Sequence, residues 1–229
     1  MTSIQELIDQ ELSIKEKRIR SGKYSPSLVG GCFRRQYYNR IDEPKSEDID
    51  NRSLRVFACG DLFHDFVQKL LVKNNPEVKT EVMCEDDDFK GFADIVNGDE
   101  VADIKSMHSF GFHYLKDQTV DYIRKEKANN FLQCALYCKL LGKKFIRIVW
   151  VSKDDLCIQE ALDEFFPYWA GLLDEEITKL QWYWKEKTLP PAEPRLYGID
   201  KKTKKPKECE YCNWKTTCLK QEGLNDTTI

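Results

Sequence analysis

Gly91-Phe92-Ala93-Asp94-Ile95-Val96-Asn97-Gly98-Asp99-Glu100-Val101-Ala102-Asp103-Ile104-Lys105 is the stretch on which the fold turns. Two short runs punctuated by Val and Ile flank Asn97-Gly98, a dipeptide suited to a two-residue hairpin turn. Side chains alternate along a strand, so Asp103 and Lys105 share a face. A hairpin here brings Asp94 close to opposite Asp103. Two carboxylates then converge with a lysine beside them. Carboxylates and water suit Mg²⁺ or Mn²⁺. Such an ion lowers the pKa of a bound water and stabilises charge building on a phosphate. A neighbouring ammonium can orient that water or stabilise the same charge. Taken alone, a D…D-x-K spacing is weak, and a charged surface hairpin explains it.

Upstream, residues 77–84 read as a further strand joined through Asp86-Asp87-Asp88, giving three antiparallel strands in a row. Glu81 lies in the first and reads as an ordinary strand residue. Before it, Leu54, Phe57, Ala58, Leu62, Phe66, Leu70 and Leu71 predict a helix over 53–73, which carries His64. Residues 42–52 read as an exposed loop. Ser25-Pro26-Ser27 is a helix-start pattern for a helix through Tyr38, and residues 4–20 have helical spacing of Ile and Leu. Downstream, 109–125 reads as irregular and 126–141 as a helix ended by Gly142. Gln133 and Tyr137, four apart, share one face of it. Residues 144–152 read as a buried strand, with 156–161 pairing to it through Asp154-Asp155. Residues 163–187 form an aromatic-rich helix stopped by Pro190, Pro191 and Pro194. The order is that of an α/β fold, a mixed central sheet flanked by helices.

The chain has 229 residues, enough for one large domain. With 41% hydrophobic and 33% charged residues it is not a disordered chain. Its net charge of −3 does not fit a protein that coats nucleic acid indiscriminately, but leaves room for a local basic channel. Basic runs at Lys15, Lys17, Arg18 and Arg20, at Arg34 and Arg35, and from Lys201 to Lys207 read singly as solvated faces. No apolar run approaches the roughly 18 residues of a membrane span; Pro167 and Gly171 interrupt the longest, Phe165 to Leu173. The first residues lack the basic start and apolar middle of a signal peptide. The expectation is a cytoplasmic protein (in the host cytoplasm if virus-borne) with no membrane partner.

Nine cysteines are many for a reducing compartment, where a disulfide framework is not expected. Cys59, Cys84, Cys134, Cys138 and Cys157 lie in apolar or periodic segments and read as small core residues. Cys209-x₂-Cys212-x₅-Cys218 is a tight triple, and Cys32 stands far away in Gly30-Gly31-Cys32-Phe33-Arg34. Four thiolates suit a tetrahedral zinc ion and equally an iron–sulfur cluster, although zinc sites usually pair two two-cysteine knuckles.

His64 on its helix, Asp94, Asp103-Ile104-Lys105 and Gln133-x-x-x-Tyr137 together resemble the PD-(D/E)XK nuclease core in its RecB-like form. The one-plus-three cysteines resemble its iron–sulfur members: the CRISPR-associated RecB-family exonucleases, the AddB subunit and the exonuclease V group. The likeness runs from about Ser25 to Cys218. It implies a restriction-endonuclease-like core over 53–187, an N-terminal helical segment over 1–52 that supplies Cys32, and a cysteine-rich segment over 188–229, all in one compact unit. It implies a divalent ion held by His64, Asp94, Asp103 and the carbonyl of Ile104, with Lys105 assisting the attacking water. It implies that Gln133 and Tyr137 support the centre and contact DNA. Cys32, Cys209, Cys212 and Cys218 would hold a [4Fe-4S] cluster that ties the two terminal segments together. Asp103 departs from the family, which usually has glutamate there.

The function so implied is a Mg²⁺- or Mn²⁺-dependent DNA exonuclease acting on single-stranded ends. Its setting would be CRISPR adaptation or phage DNA processing, with a CRISPR integrase or recombination complex as partner. The alternatives are a non-catalytic DNA-end-binding adaptor and a zinc-stapled DNA-binding protein; oligomeric state is left open. No Gly-x-x-x-x-Gly-Lys-Ser/Thr loop is present, so a helicase is not expected. A cluster at Cys32 is expected to set Arg34, Arg35, Tyr37 and Tyr38 at the mouth of the site, where phosphate contacts and base stacking suit single-stranded DNA.

Overall fold

The structure is a computed structural model that describes residues 2–14 and 21–223. Strands β1 (Lys79–Glu85), β2 (Lys90–Asn97) and β3 (Glu100–Met107) run antiparallel in sequence order, as their pattern predicts. The turn between β2 and β3 differs by one residue from the expected one. Asn97 pairs with Glu100, so the loop is Gly98-Asp99, with Gly98 at φ +55°. A turn with glycine first matches the twist of the flanking strands. The register that follows, Ile95 against Ala102, puts Asp94 level with Asp103.

Strand β4 (Phe145–Ser152) lies parallel to β3 along its whole length, and β5 (Ile158–Glu164) closes the sheet antiparallel to β4. The strands stand in sequence order across one five-stranded mixed sheet. A parallel pair needs a crossover. It is supplied by α4 (Ser109–Leu115), α5 (Val120–Glu126) and α6 (Ala128–Leu141). Residues 109–125 are therefore not irregular. Two seven-residue helices occupy them, capped by the side chains of His108 and Thr119; each is too short to show a hydrophobic period.

The remaining helices are α1 (Ile4–Ser13), α2 (Phe33–Arg40), α3 (Asn51–Asn74), α7 (Ala170–Lys185), α8 (Lys207–Glu210) and α9 (Lys215–Gln221). A reciprocal Ser3–Glu6 capping box starts α1. The basic run at Lys15, Lys17, Arg18 and Arg20 lies outside the described residues. The helix expected from Ser25 is split. A single 3₁₀ turn, Pro26–Leu28, is followed by Gly30 at φ +84°, and α2 begins only at Phe33. The helix expected from 163 is also shorter. Strand β5 runs to Glu164 and Phe166 is extended (φ −99°, ψ 149°), as a residue before proline prefers, so α7 starts at Ala170.

Helices cover both faces of the sheet. On one, α6 is buried continuously from Phe131 to Cys138 and packs on Val101, Ile146, Ile148 and Trp150. Phe131 stacks on Trp169 at 4.8 Å between ring centroids. On the other, Phe63 and Val67 of α3 pack over Ile95, Ala102, Ile104 and Val149. Each fully buried Val or Ile among these contributes about 1.5–3 kcal/mol. The alternation therefore hands Val101 and Asp103 to the α6 face, and Ala102 and Ile104 to the α3 face. Tyr24, Val29 and Phe33 join the larger core. Their segment lies close on β2 at Gly91, where a Cβ would meet Pro26 at 2.9 Å and Tyr137 at 3.4 Å.

Cys84, Cys134 and Cys138 are core residues as expected, and Cys134 and Cys138 donate to the carbonyls of Val101 and Phe145. Cys59 and Cys157 are exposed, contrary to expectation; Cys59 lies on the outward side of α3, and Cys157 in the turn just before β5. Among the described residues no helix is long and apolar enough to cross a membrane.

Candidate active site

The β2–β3 ladder stops at Ile95–Ala102, and a side chain continues it: Oδ2 of Asp94 accepts the Ile104 N–H at 2.7 Å. Asp94 is thereby locked against β3. Asp103 is completely buried. Its Oδ1 accepts from Lys105 Nζ at 3.1 Å. Its Oδ2 lies 2.9 Å from the same nitrogen but receives no hydrogen bond. Lys105 also donates to Oε1 of Gln133 at 3.1 Å, and Gln133 Nε2 lies 3.4 Å from the Tyr137 hydroxyl. His64 completes the group, with Nδ1 3.6 Å from Asp94 Oδ2. The sequence-predicted residues thus meet: β2 and β3 bring the acids and lysine, α6 brings Gln133 and Tyr137, and α3 brings His64.

Charge within this group is unbalanced. Burial, then the charges of Asp103 and Glu81, push the Asp94 carboxyl up to about 7. Burial, then Lys105, pull the His64 imidazole down, so it is neutral near pH 7 and keeps a lone pair to offer. Burial works against the Lys105 ammonium, but Asp103 and Asp94 outweigh it and raise its pKa. Burial holds the Tyr137 phenol protonated.

Two further residues belong here. Gln68, one helical turn beyond His64, is buried and donates to Glu81 at 2.7 Å and to the Asp94 carbonyl at 3.1 Å. Glu81 stands at φ +50°, and its carboxylate is near enough to shift both Asp94 and His64. It is not the ordinary strand residue that the sequence suggests. The i, i+4 spacing of His64 and Gln68 was the available signal for the first; nothing local marks the left-handed backbone of the second.

The four singled-out cysteines come together at the opposite end of the chain's course. Cys32, Cys209, Cys212 and Cys218 line one cavity of about 210 Å³. Arg34 reaches it with an N–H 3.5 Å from the Cys218 sulfur, while donating to the Pro190 carbonyl and pairing with Glu222. Burial, then the other three thiols, push Cys209 up to about 12; burial also raises Cys32 and Cys212. The buried carboxylate of Glu208 fastens the two segments: it accepts the amides of Cys32 (2.7 Å), Arg195 (2.6 Å) and Leu196 (2.9 Å). Sequence reasoning missed this residue among its charged neighbours.

No protein-family profile and no curated protein sequence matches the chain. Solved structures do. The crystal structure of SSO0001 is similar at TM-score 0.56 and 18% identity, over 95% of this chain and 96% of that one. LHK-Exo, an alkaline exonuclease from Laribacter hongkongensis, in complex with dAMP, is similar at TM-score 0.53 and 16% identity, over 72% and 89%. A phage-related exonuclease from Haemophilus somnus 129PT is similar at TM-score 0.51 and 15% identity, over 68% and 80%. The chain shares the fold of these structures.

Two places in this fold have donors that suit inorganic groups, although among the described residues no three His, Cys, Asp or Glu side chains converge closely enough to hold a metal ion as they stand. Asp103 Oδ2 is a buried acceptor without a hydrogen bond, next to a second carboxylate that burial disfavours as an anion. A divalent cation satisfies both, and hard oxygen donors fit Mg²⁺ or Mn²⁺. The soft thiols stand around a cavity and do not meet at one point. A lone zinc ion would draw all four to about 2.3 Å from itself. One expectation fails in this region. Arg34 and Tyr38 are buried, with Tyr38 bonded to Gln221, so neither is free to meet a DNA strand. Closing the cysteine end turned them inward.

Proposed function

We propose that the chain is a Mg²⁺- or Mn²⁺-dependent DNA exonuclease of the RecB-like PD-(D/E)XK kind, acting on single-stranded ends. The observation that carries this reading is the buried Asp103 carboxylate, with one oxygen unbonded, held between Asp94 and Lys105 in a fold shared with solved exonucleases. His64, Asp94, Asp103 and the Ile104 carbonyl are the residues that would hold the ion. When bound, it polarises the phosphate and lowers the pKa of a coordinated water. Asp103 keeps Lys105 charged, and Gln133 holds the ammonium at 3.1 Å. From there Lys105 donates to the attacking water or to a non-bridging phosphate oxygen. Tyr137, kept protonated, backs Gln133. Water's oxygen bonds to phosphorus as the phosphodiester P–O bond breaks, and the proton the water gives up passes through solvent to the leaving oxygen.

The same proposal assigns Cys32, Cys209, Cys212 and Cys218 to a [4Fe-4S] cluster. A cavity ringed by four thiols, with a guanidinium N–H directed at one of them, supports it. A setting in CRISPR adaptation or recombination rests on the sequence resemblance.

Asp103→Ala is the test. In Mn²⁺ it should abolish release of nucleotides from end-labelled single-stranded DNA, while circular dichroism and the visible absorption of anaerobically purified protein stay unchanged. Digestion by the variant at the wild-type rate would remove Asp103 from the centre.

A further inference from the structure

Lys105 lines a groove of about 820 Å³ that none of the site's acids line. The groove is also lined by Lys125 and Lys127 at the start of α6, and by Lys207, Tyr197 and Tyr211 from the cysteine-rich segment. Its charge differs from that of the whole chain. Four lysines line it against a single carboxylate, Glu126, in a protein of net charge −3. Its remaining cation, Arg195, is engaged by Glu176 and the Gly31 carbonyl. Among the described residues, no carboxylate lies within ion-pair distance of Lys125, Lys127 or Lys207.

Two aromatic rings stand open on the same groove. Tyr197 is 59% exposed and Tyr211 is 70% exposed. Tyr197 sits at φ +66°, followed by Gly198 at φ +63°. A bulky residue in the left-handed region costs roughly 1–2 kcal/mol, so the surrounding structure must hold it there. The turn is tied to α8 by the Lys207 N–H, which donates to the Gly198 carbonyl at 3.0 Å.

We infer that this groove is the path of a single DNA strand into the site, with Lys125, Lys127 and Lys207 on its phosphates and Tyr197 and Tyr211 stacked on its bases. Spaced cations and exposed rings along one channel are the chemistry of a single strand, whose bases are free to stack. A duplex keeps its base faces inside and offers the rings nothing. The inference rests on the nuclease reading for the polarity of the path toward Lys105, but its test does not need cleavage.

The experiment is anisotropy of 5′-fluorescein-labelled (dT)₂₀ titrated with the full chain in EDTA, where no digestion occurs. Tyr197→Ala and Tyr211→Ala should each weaken binding by about tenfold or more. Tyr197→Phe and Tyr211→Phe keep a ring and should bind as wild type does. Lys125→Ala, Lys127→Ala and Lys207→Ala combined should flatten the slope of log K against log salt by about 2, from roughly 0.7 per phosphate contact on a single strand. A labelled duplex should bind more weakly and be indifferent to loss of the rings. Unchanged affinity and slope, in variants that melt with the wild type, would overturn the path, as would Phe variants as weak as the Ala ones. Strong binding through the groove with no digestion in Mn²⁺ would instead defeat the nuclease reading and leave the path standing.

Discussion

Removing the Lys105 ammonium leaves the Asp103 carboxylate buried with no compensating charge. Lys105→Met should therefore destabilise the protein by about 3–5 kcal/mol in urea with EDTA present, the usual cost of breaking a buried pair from one side. Adding Asp103→Asn to it should restore most of that loss, because the buried charge is gone. A double variant no more stable than Lys105→Met would mean that the pair is not what holds this corner. Gln68→Leu should cost about 1–3 kcal/mol by stranding Glu81 and the Asp94 carbonyl, read from the same unfolding midpoints. At this scale the sequence was informative where chemistry showed in residue type. Asp94, Asp103 and Lys105 converge as the hairpin spacing predicts, Gln133 and Tyr137 share a helix face as theirs does, and the family resemblance is what joined His64 and that helix to them. Gln68 and Glu208 escaped notice, and Glu81 was read as an ordinary strand residue, because a glutamine or glutamate on a charged chain looks the same whether it is solvated or buried.

Among the elements, the hairpin, α6 and β4 were legible from periodicity and turn residues. The short α4 and α5 were not, since seven residues hold less than two full turns of pattern. The break in the helix expected from Ser25 and the late start of α7 follow from Gly30 and Pro167, which sequence reading had noted without taking either as a helix boundary. Contacts between elements carry their own expectations. Gly91→Ala would drive a methyl to within 2.9 Å of Pro26, so it should lower stability by about 1–3 kcal/mol. Arg124 of α5 holds Asp163 of β5 at 2.6 Å, and Trp169 donates to the same carboxylate at 2.6 Å. Burial tends to raise the Asp163 pKa, but these donors win and hold it below the usual carboxylate range. A depressed folded-state pKa stabilises the fold above the unfolded value of roughly 3.9, and this contribution is lost as pH falls through the folded one. Asp163→Asn should thus cost about 1–2 kcal/mol at pH 7, discounted for the part-exposed arginine. The gap from wild type should narrow toward pH 3. An equal gap at both pH values would show that shape, and not charge, makes the contact.

Across the whole molecule, the segment around Cys32 and the segment from Pro190 to Glu222 clasp each other. Glu208 holds the amides of Cys32, Arg195 and Leu196, and Glu208→Ala would leave all three without an acceptor. At about 1–3 kcal/mol for each stranded donor, the loss should reach at least about 3 kcal/mol. Limited proteolysis should then release the segment beyond residue 188 before the sheet core is cut. Release at the wild-type rate would mean that the cysteine end is held by other contacts. Sequence reading found this clasp only through its cysteines.

Time gives the clasp another meaning. Its bonds join residues 156, 176 and 184 positions apart, so they form late in any folding sequence, after the local pairings of the sheet. Synthesis reinforces that order, because domains fold as the chain emerges from its beginning. A ribosome that has reached residue 190 has already made every acid, the lysine and α6. The Cys32 turn is then still waiting for partners that have not been translated. The acids, the lysine and α6 are made first, and the partners that fasten the Cys32 turn follow only from Pro190 onward.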